Sequence, residues 1–115
     1  MQLVAEFLKN VSFCQDLNEA ARSKLAELLI SKKISAGAVI FREFDDSDCL
    51  YIVKSGRIII SKHVQDQVDI VLTRFHGGDC FGEMGLFDTS PRSATAQTET
   101  DSVLLRLDRK AFQQI

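Results

Sequence analysis

The spacing of apolar residues changes once along this chain, near residue 30, and the change separates a helical part from a stranded one. Leu3, Val4, Phe7 and Leu8 recur at three-to-four spacing, the period of a single helix face. A break follows near Ser12. Asn18 then offers an N-cap oxygen and Glu19 a favourable first-turn charge, and Leu25, Leu28 and Leu29 supply the buried face of a second helix. The helical part is therefore expected over residues 1–30.

From residue 31 the pattern shortens to strands. Gly37 marks a turn before the brief strand Val39–Phe41, and residues 42–48 form an acidic loop. Cys49–Lys54 reads as a strand with Leu50 and Ile52 on one face and Tyr51 and Val53 on the other. Ser55-Gly56 turns it into Arg57–Lys62, whose Ile58-Ile59-Ile60 is apolar on both faces. A polar turn at Gln65-Asp66-Gln67 leads to Asp69–Phe75, and His76–Asp79 makes another turn. Beyond Pro91, residues 93–98 and 102–107 read as two more strands, and Asp108 as the N-cap of a last helix starting at Arg109. Many short strands bracketed by helices predict a mainly β, α+β domain: a small barrel or jelly roll with helical flanks.

Composition narrows the function classes. A chain of 115 residues, 45% hydrophobic and 26% charged, suits one globular domain able to bury a core. No apolar run reaches the roughly 18 residues a spanning helix needs, and the N-terminus lacks the basic start and cleavage site of a leader, so a cytoplasmic setting is expected. A net charge of −2, with only Lys32-Lys33 and Arg109-Lys110 as close cationic pairs, offers no basic stripe for nucleic acid. Cys14, Cys49 and Cys80 share no metal-ligand spacing and read as reduced, buried small hydrophobes. His63 and His76, thirteen positions apart, make a poor metal pair, so neither metal nor cofactor is expected.

Chemistry concentrates in residues 81–96, FGEMGLFDTSPRSATA. A short helix over Glu83–Phe87 would expose backbone N–H groups that attract an anion, and Gly82 and Gly85 would let a ligand approach the main chain. Arg92 could add a charge-assisted, bidentate bond to a phosphate, while Glu83 would suit a hydroxyl rather than an anion. The same two side chains could instead pair with each other and pin a loop.

The run from Phe81 to Thr95 closely resembles the phosphate-binding cassette of the cyclic nucleotide-binding domain family, which includes catabolite activator protein and the regulatory subunit of protein kinase A. The pattern F-G-E-[LM]-[AG]-L followed by P-R-[ST]-A-T is met at every defined position. Gly37–Phe41, Asp48–Val53 and Gly56 are similar to a second motif of that family, and the resemblance runs from about residue 7 to the end. It implies an eight-stranded β-roll (residues 31–107) with the cassette at 81–95, an N-terminal helical bundle and a truncated C-terminal helix over 108–115.

It further implies a ligand, cAMP or cGMP, held by Gly82, Glu83, Met84, Gly85, Arg92 and Ser93. Arg92 would meet the equatorial oxygen of the cyclic phosphate and Glu83 the ribose 2′-hydroxyl; backbone groups of Gly82, Gly85 and Ser93 would complete the contacts. Thr73 matches a strand position facing the base, and Leu86 the apolar residue that repacks against the following helix on binding. The neutral Thr73 weakens the case for cGMP, so cAMP is favoured.

Two departures stand out. Phe44 occupies a loop position where the family usually has glycine; that loop is expected to lie far from the phosphate, with an altered turn and an exposed aromatic. The chain also stops at Ile115, before the helix that caps the purine in family members, which leaves base selectivity and the effector outside this sequence. The expected function is a regulatory sensor acting on an attached or associated effector, with a homodimer possible. The competing readings are an interaction or dimerisation module that binds no ligand, and an enzyme on a similar barrel. The last lacks a histidine cluster or a nucleophile with a base, so no catalysis is expected.

Overall fold

The structure, a computed structural model, describes residue 11 and residues 14–82 and 90–113. The first described helix, α1 (Glu19–Leu28), starts where the sequence places it, with the Asn18 carboxamide oxygen accepting the Ala21 amide at 2.8 Å. It ends at Leu29, whose extended backbone leads directly into a strand. Eight strands follow among the described residues: β1 (Ile30–Ile34), β2 (Val39–Phe41), β3 (Cys49–Ser55), β4 (Ile58–Gln65), β5 (Val68–Phe75), β6 (Cys80–Phe81), β7 (Thr95–Thr98) and β8 (Ser102–Asp108). A four-residue helix, α2 (Arg109–Phe112), closes the described chain.

The strands form two antiparallel four-stranded sheets, in the orders β1-β8-β3-β6 and β2-β7-β4-β5. Each sheet keeps free edges, so the β-roll is two open sheets face to face rather than the closed barrel the strand pattern allowed. Gly56 turns the chain from β3 into β4 at φ 98°, and a Cβ there would lie 2.7 Å from the Ser102 backbone. No L-residue fits that turn without moving β8.

β3 explains how one thin sheet serves two cores. Leu50 and Ile52 join Leu105 and Leu107 of β8 in packing against Leu25 and Ala26 of α1, with Cys14 and Val11 in the same cluster. Cys49, Tyr51 and Val53 point the other way, into the roll, with Leu104, Ile58, Phe81 and Ala96. The alternation read from the sequence is thus a strand buried on both faces. Each fully buried aliphatic side chain contributes about 1.5–3 kcal/mol.

Three local expectations are corrected. β4 runs on to Gln65, beyond Lys62, because His63 and Gln65 pair with Asp69 and Val68 across a tight turn at Asp66-Gln67. The strand after Pro91 begins at Thr95 rather than residue 93, since residues 90–94 serve the cavity described below. Asp108 occupies the N-cap of α2 but caps nothing with its side chain, which accepts from Arg106 Nε at 2.6 Å instead.

Burial pushes the Cys14 thiol up to about 11 from its ordinary 9.0. Below pH 9 both folded and unfolded chains hold that proton; between about pH 9 and 11 only the folded chain does, so stability falls across this window. Urea denaturation should show a loss of roughly 2 kcal/mol there, beyond that at other sites. The loss should be absent in Cys14→Ala, and an equal alkaline loss in that variant would refute the assignment.

Candidate functional site

Arg92 is placed by its backbone before its side chain does anything. Its amide donates to the Asp45 carbonyl at 2.8 Å, and its carbonyl accepts from the Phe44 amide at 2.8 Å. The turn that makes these bonds is tied down further: the Glu43 amide donates to Thr95 Oγ1 at 3.0 Å, and the Arg42 amide to Asp45 Oδ2 at 2.9 Å. The 42–48 loop is therefore bonded directly to the backbone of Arg92. Phe44 adopts φ 76°, a left-handed conformation that costs a non-glycine residue about 1–2 kcal/mol, and its ring is 77% exposed. The altered turn and exposed aromatic are as expected at that position.

The Arg92 side chain runs inward and is only 6% exposed. Its guanidinium lies over the Phe41 ring, 4.2 Å from the centroid. Nη1 donates to the Gly82 carbonyl at 3.1 Å, and Nη2 to the Cys49 carbonyl at 2.8 Å and to Cys49 Sγ at 3.3 Å. Nε is buried and has no acceptor among the described residues. Every partner in this set is neutral. Burial pushes the Cys49 thiol up, so the thiol remains protonated near neutral pH and cannot cancel the charge. A buried cation left in this state is costly, several kcal/mol by the usual desolvation penalty, and a bound anion would offset that cost.

Arg92 lines a cavity of about 590 Å³, within the roughly 300–1,000 Å³ range of small-molecule sites. Its lining includes the apolar side chains of Phe41, Ile60, Phe75 and Phe81 together with Gly82, Ser90, Pro91, Arg92 and Ser93. The aromatic wall is continuous, with Phe81 stacked on Phe75 at 5.6 Å and on Tyr51 at 5.3 Å. Such a cavity can hold a ligand with a flat apolar part and an anionic part.

The residues expected at the site divide into three groups. Gly82, Arg92 and Ser93 come together on the cavity wall. Thr73 lies on β5 directly across from Ile60, which lines the cavity, but its side chain is exposed and forms no part of the described wall. Glu83, Met84, Gly85 and Leu86, with the short helix expected there, lie outside the described residues. Sequence reading missed Cys49 and Phe41 as partners of the guanidinium. The alternation in β3 already put Cys49 on the face shared with Tyr51 and Val53, but nothing local connects it to residue 92. No group of three or more His, Cys, Asp or Glu able to hold a metal occurs among the described residues.

The sequence model described as "Cyclic nucleotide-binding domain" matches residues 31–115. This chain belongs to that family. The domain is 33% identical, over 95% of its length, to a cAMP-dependent protein kinase regulatory subunit from Yarrowia lipolytica, of which it spans only 28%. The chain thus covers under a third of the curated relatives it matches first. In three dimensions it resembles the regulatory domain of Toxoplasma gondii PKA solved with cAMP, with a TM-score of 0.90, 28% identity, and coverage of 98% of this chain and 44% of that one. It is also similar to the regulatory subunit of a cAMP-independent protein kinase A from Trypanosoma cruzi bound to guanosine, with a TM-score of 0.88, 25% identity and coverage of 98% and 40%. No helix among the described residues is long and apolar enough to cross a membrane.

Gly82 provides a direct test of the arginine's seat. It adopts φ 76°, and a Cβ there would come within 2.4 Å of Arg92 Nη1. The clash is with the end of a side chain, so Gly82→Ala should fold, losing about 1–2 kcal/mol in urea denaturation from the backbone strain. The guanidinium should leave its seat, shifting the Cys49 and Phe41 amide resonances. Unmoved resonances at both positions would contradict the geometry.

Proposed function

We propose that this domain binds a cyclic nucleotide, cAMP in preference to cGMP, and relays occupancy to an effector attached to or associated with it. The observation that carries the reading is the buried guanidinium of Arg92: it faces a nucleotide-sized cavity, bonds only neutral acceptors among the described residues, and has an unused Nε–H. The cyclic phosphate would sit at Arg92, and the base toward Ile60 and Phe75. Glu83 would accept from the ribose 2′-hydroxyl. The relative solved with cAMP supports cAMP as the ligand, and the kinase regulatory subunits among the relatives make a protein kinase a natural effector. The domain works as a binding module in the cytoplasm, without catalysis of its own.

A second reading is favoured by the guanosine-bound relative: a nucleoside without phosphate in the same cavity. A nucleoside brings no anion to a buried arginine, and on that ground the phosphate-bearing ligand is preferred.

Calorimetric titration of the domain with cAMP, cGMP and guanosine separates these readings. Binding of cAMP is expected to be the tightest. Arg92→Ala should weaken it at least about tenfold, because a hydrogen bond to a charged group contributes roughly 1.5–3 kcal/mol. Tightest binding by guanosine, unaffected by Arg92→Ala, would favour the nucleoside. Absence of heat and of any thermal shift with all three would leave an interaction module as the better description.

Coupling to the effector is a population shift. Ligand draws residues 83–93 toward the roll, Leu86 repacks, and the helix beginning after Asp108 is released; the shift is limited by the ligand's differential affinity for the two states. Amide resonances of residues 108–113 should therefore move at saturating cAMP. If they stay in place while the cavity residues shift, this route of coupling is wrong.

A further inference from the structure

The seat of Arg92 contains one side-chain hydrogen-bond acceptor among the described residues, and it is a thiol. Cys49 Sγ lies 3.3 Å from Nη2, beside its own carbonyl at 2.8 Å. Cys49 and Arg92 thus link the inner face of β3 to the cavity wall. A carboxylate in this position would orient the guanidinium equally well, but it would also neutralise it and remove the reason for an anion to bind. A purely apolar side chain would leave the charge intact but give Nη2 one acceptor fewer.

We infer that Cys49 is a positioning residue for anion recognition: its neutral thiol holds Nη2 in place, so that Arg92 keeps its full charge and presents its Nε–H and the second N–H of Nη1 to the ligand. The 2% exposure of Cys49 and its protonated state make it a fixed structural acceptor, not a reactive group. The Phe41 ring below the guanidinium and the Gly82 carbonyl on Nη1 complete a seat in which both Nη nitrogens are engaged. Preorganisation of this kind lowers the ordering cost of binding. This role rests on the cyclic-nucleotide reading above and concerns its phosphate end alone.

The test is a double-mutant cycle on the 115-residue chain, with cAMP affinity measured by calorimetry. Cys49→Val keeps an apolar filling of similar shape without an acceptor and should weaken cAMP binding roughly three- to tenfold, a thiol being a weak acceptor. Cys49→Ser restores an acceptor and should bind within about twofold of the parent. Cys49→Ala carries the same test as the valine variant if the latter does not fold. In the Arg92→Ala background, Cys49→Val should change the affinity no further. A purely structural role for Cys49 would instead give the same loss with and without Arg92, and that result overturns the proposal, as does parent-like affinity of Cys49→Val. Absence of cAMP binding by the parent chain overturns the nucleotide reading itself, and this role with it.

Discussion

A buried guanidinium surrounded by neutral acceptors organises the functional half of this domain. Arg92 is positioned by a loop that bonds its amide and carbonyl, by a carbonyl from β3, by a carbonyl at the start of the cassette and by an aromatic face from β2. Two stretches of chain, residues 41–49 and the segment at Gly82, converge on one charge. None of those partners, among the described residues, cancels it.

The two-faced burial of β3 makes that convergence possible. Its outer face is sealed by α1 and its inner face by the opposite sheet, which leaves the strand little freedom to shift. The first residue of the strand, Cys49, is therefore a rigid platform for Nη2. The Gly56 turn holds β4 in register behind it and brings Ile60 and Phe75 to the lining of the cavity. Core packing and the seat of Arg92 thus share one strand, and disturbing β3 for stability also disturbs that seat.

The cost of the Phe44 conformation fits the same picture. The turn containing it is held by two backbone bonds with Arg92 and by two amides, of Glu43 and Arg42, that donate to the Thr95 hydroxyl and the Asp45 carboxylate. Glycine would adopt this geometry without strain. That phenylalanine stands there shows that the surrounding bonds are strong enough to enforce the turn.

Much of the architecture was legible in the chain because it depends on local periodicity. The Asn18 cap, the alternation of β3, the glycine turns and the order of short strands all follow from residues a few positions apart, and so did the family, since the cassette is contiguous. Other features depend on pairs distant in sequence. The reach of β4 past Lys62 was set by its pairing with β5; the Asp108 side chain was claimed by Arg106 rather than by the helix; the 42–48 loop came to rest against residue 92. The thiol of Cys49 carries no signal of its own, and only the packing of the two sheets brings it within 3.3 Å of Arg92. The sequence by itself determined which residues could meet a phosphate. The tertiary structure alone decided that the arginine would be buried without a counter-charge among the described residues, because burial and partner choice are properties of the assembled sheets.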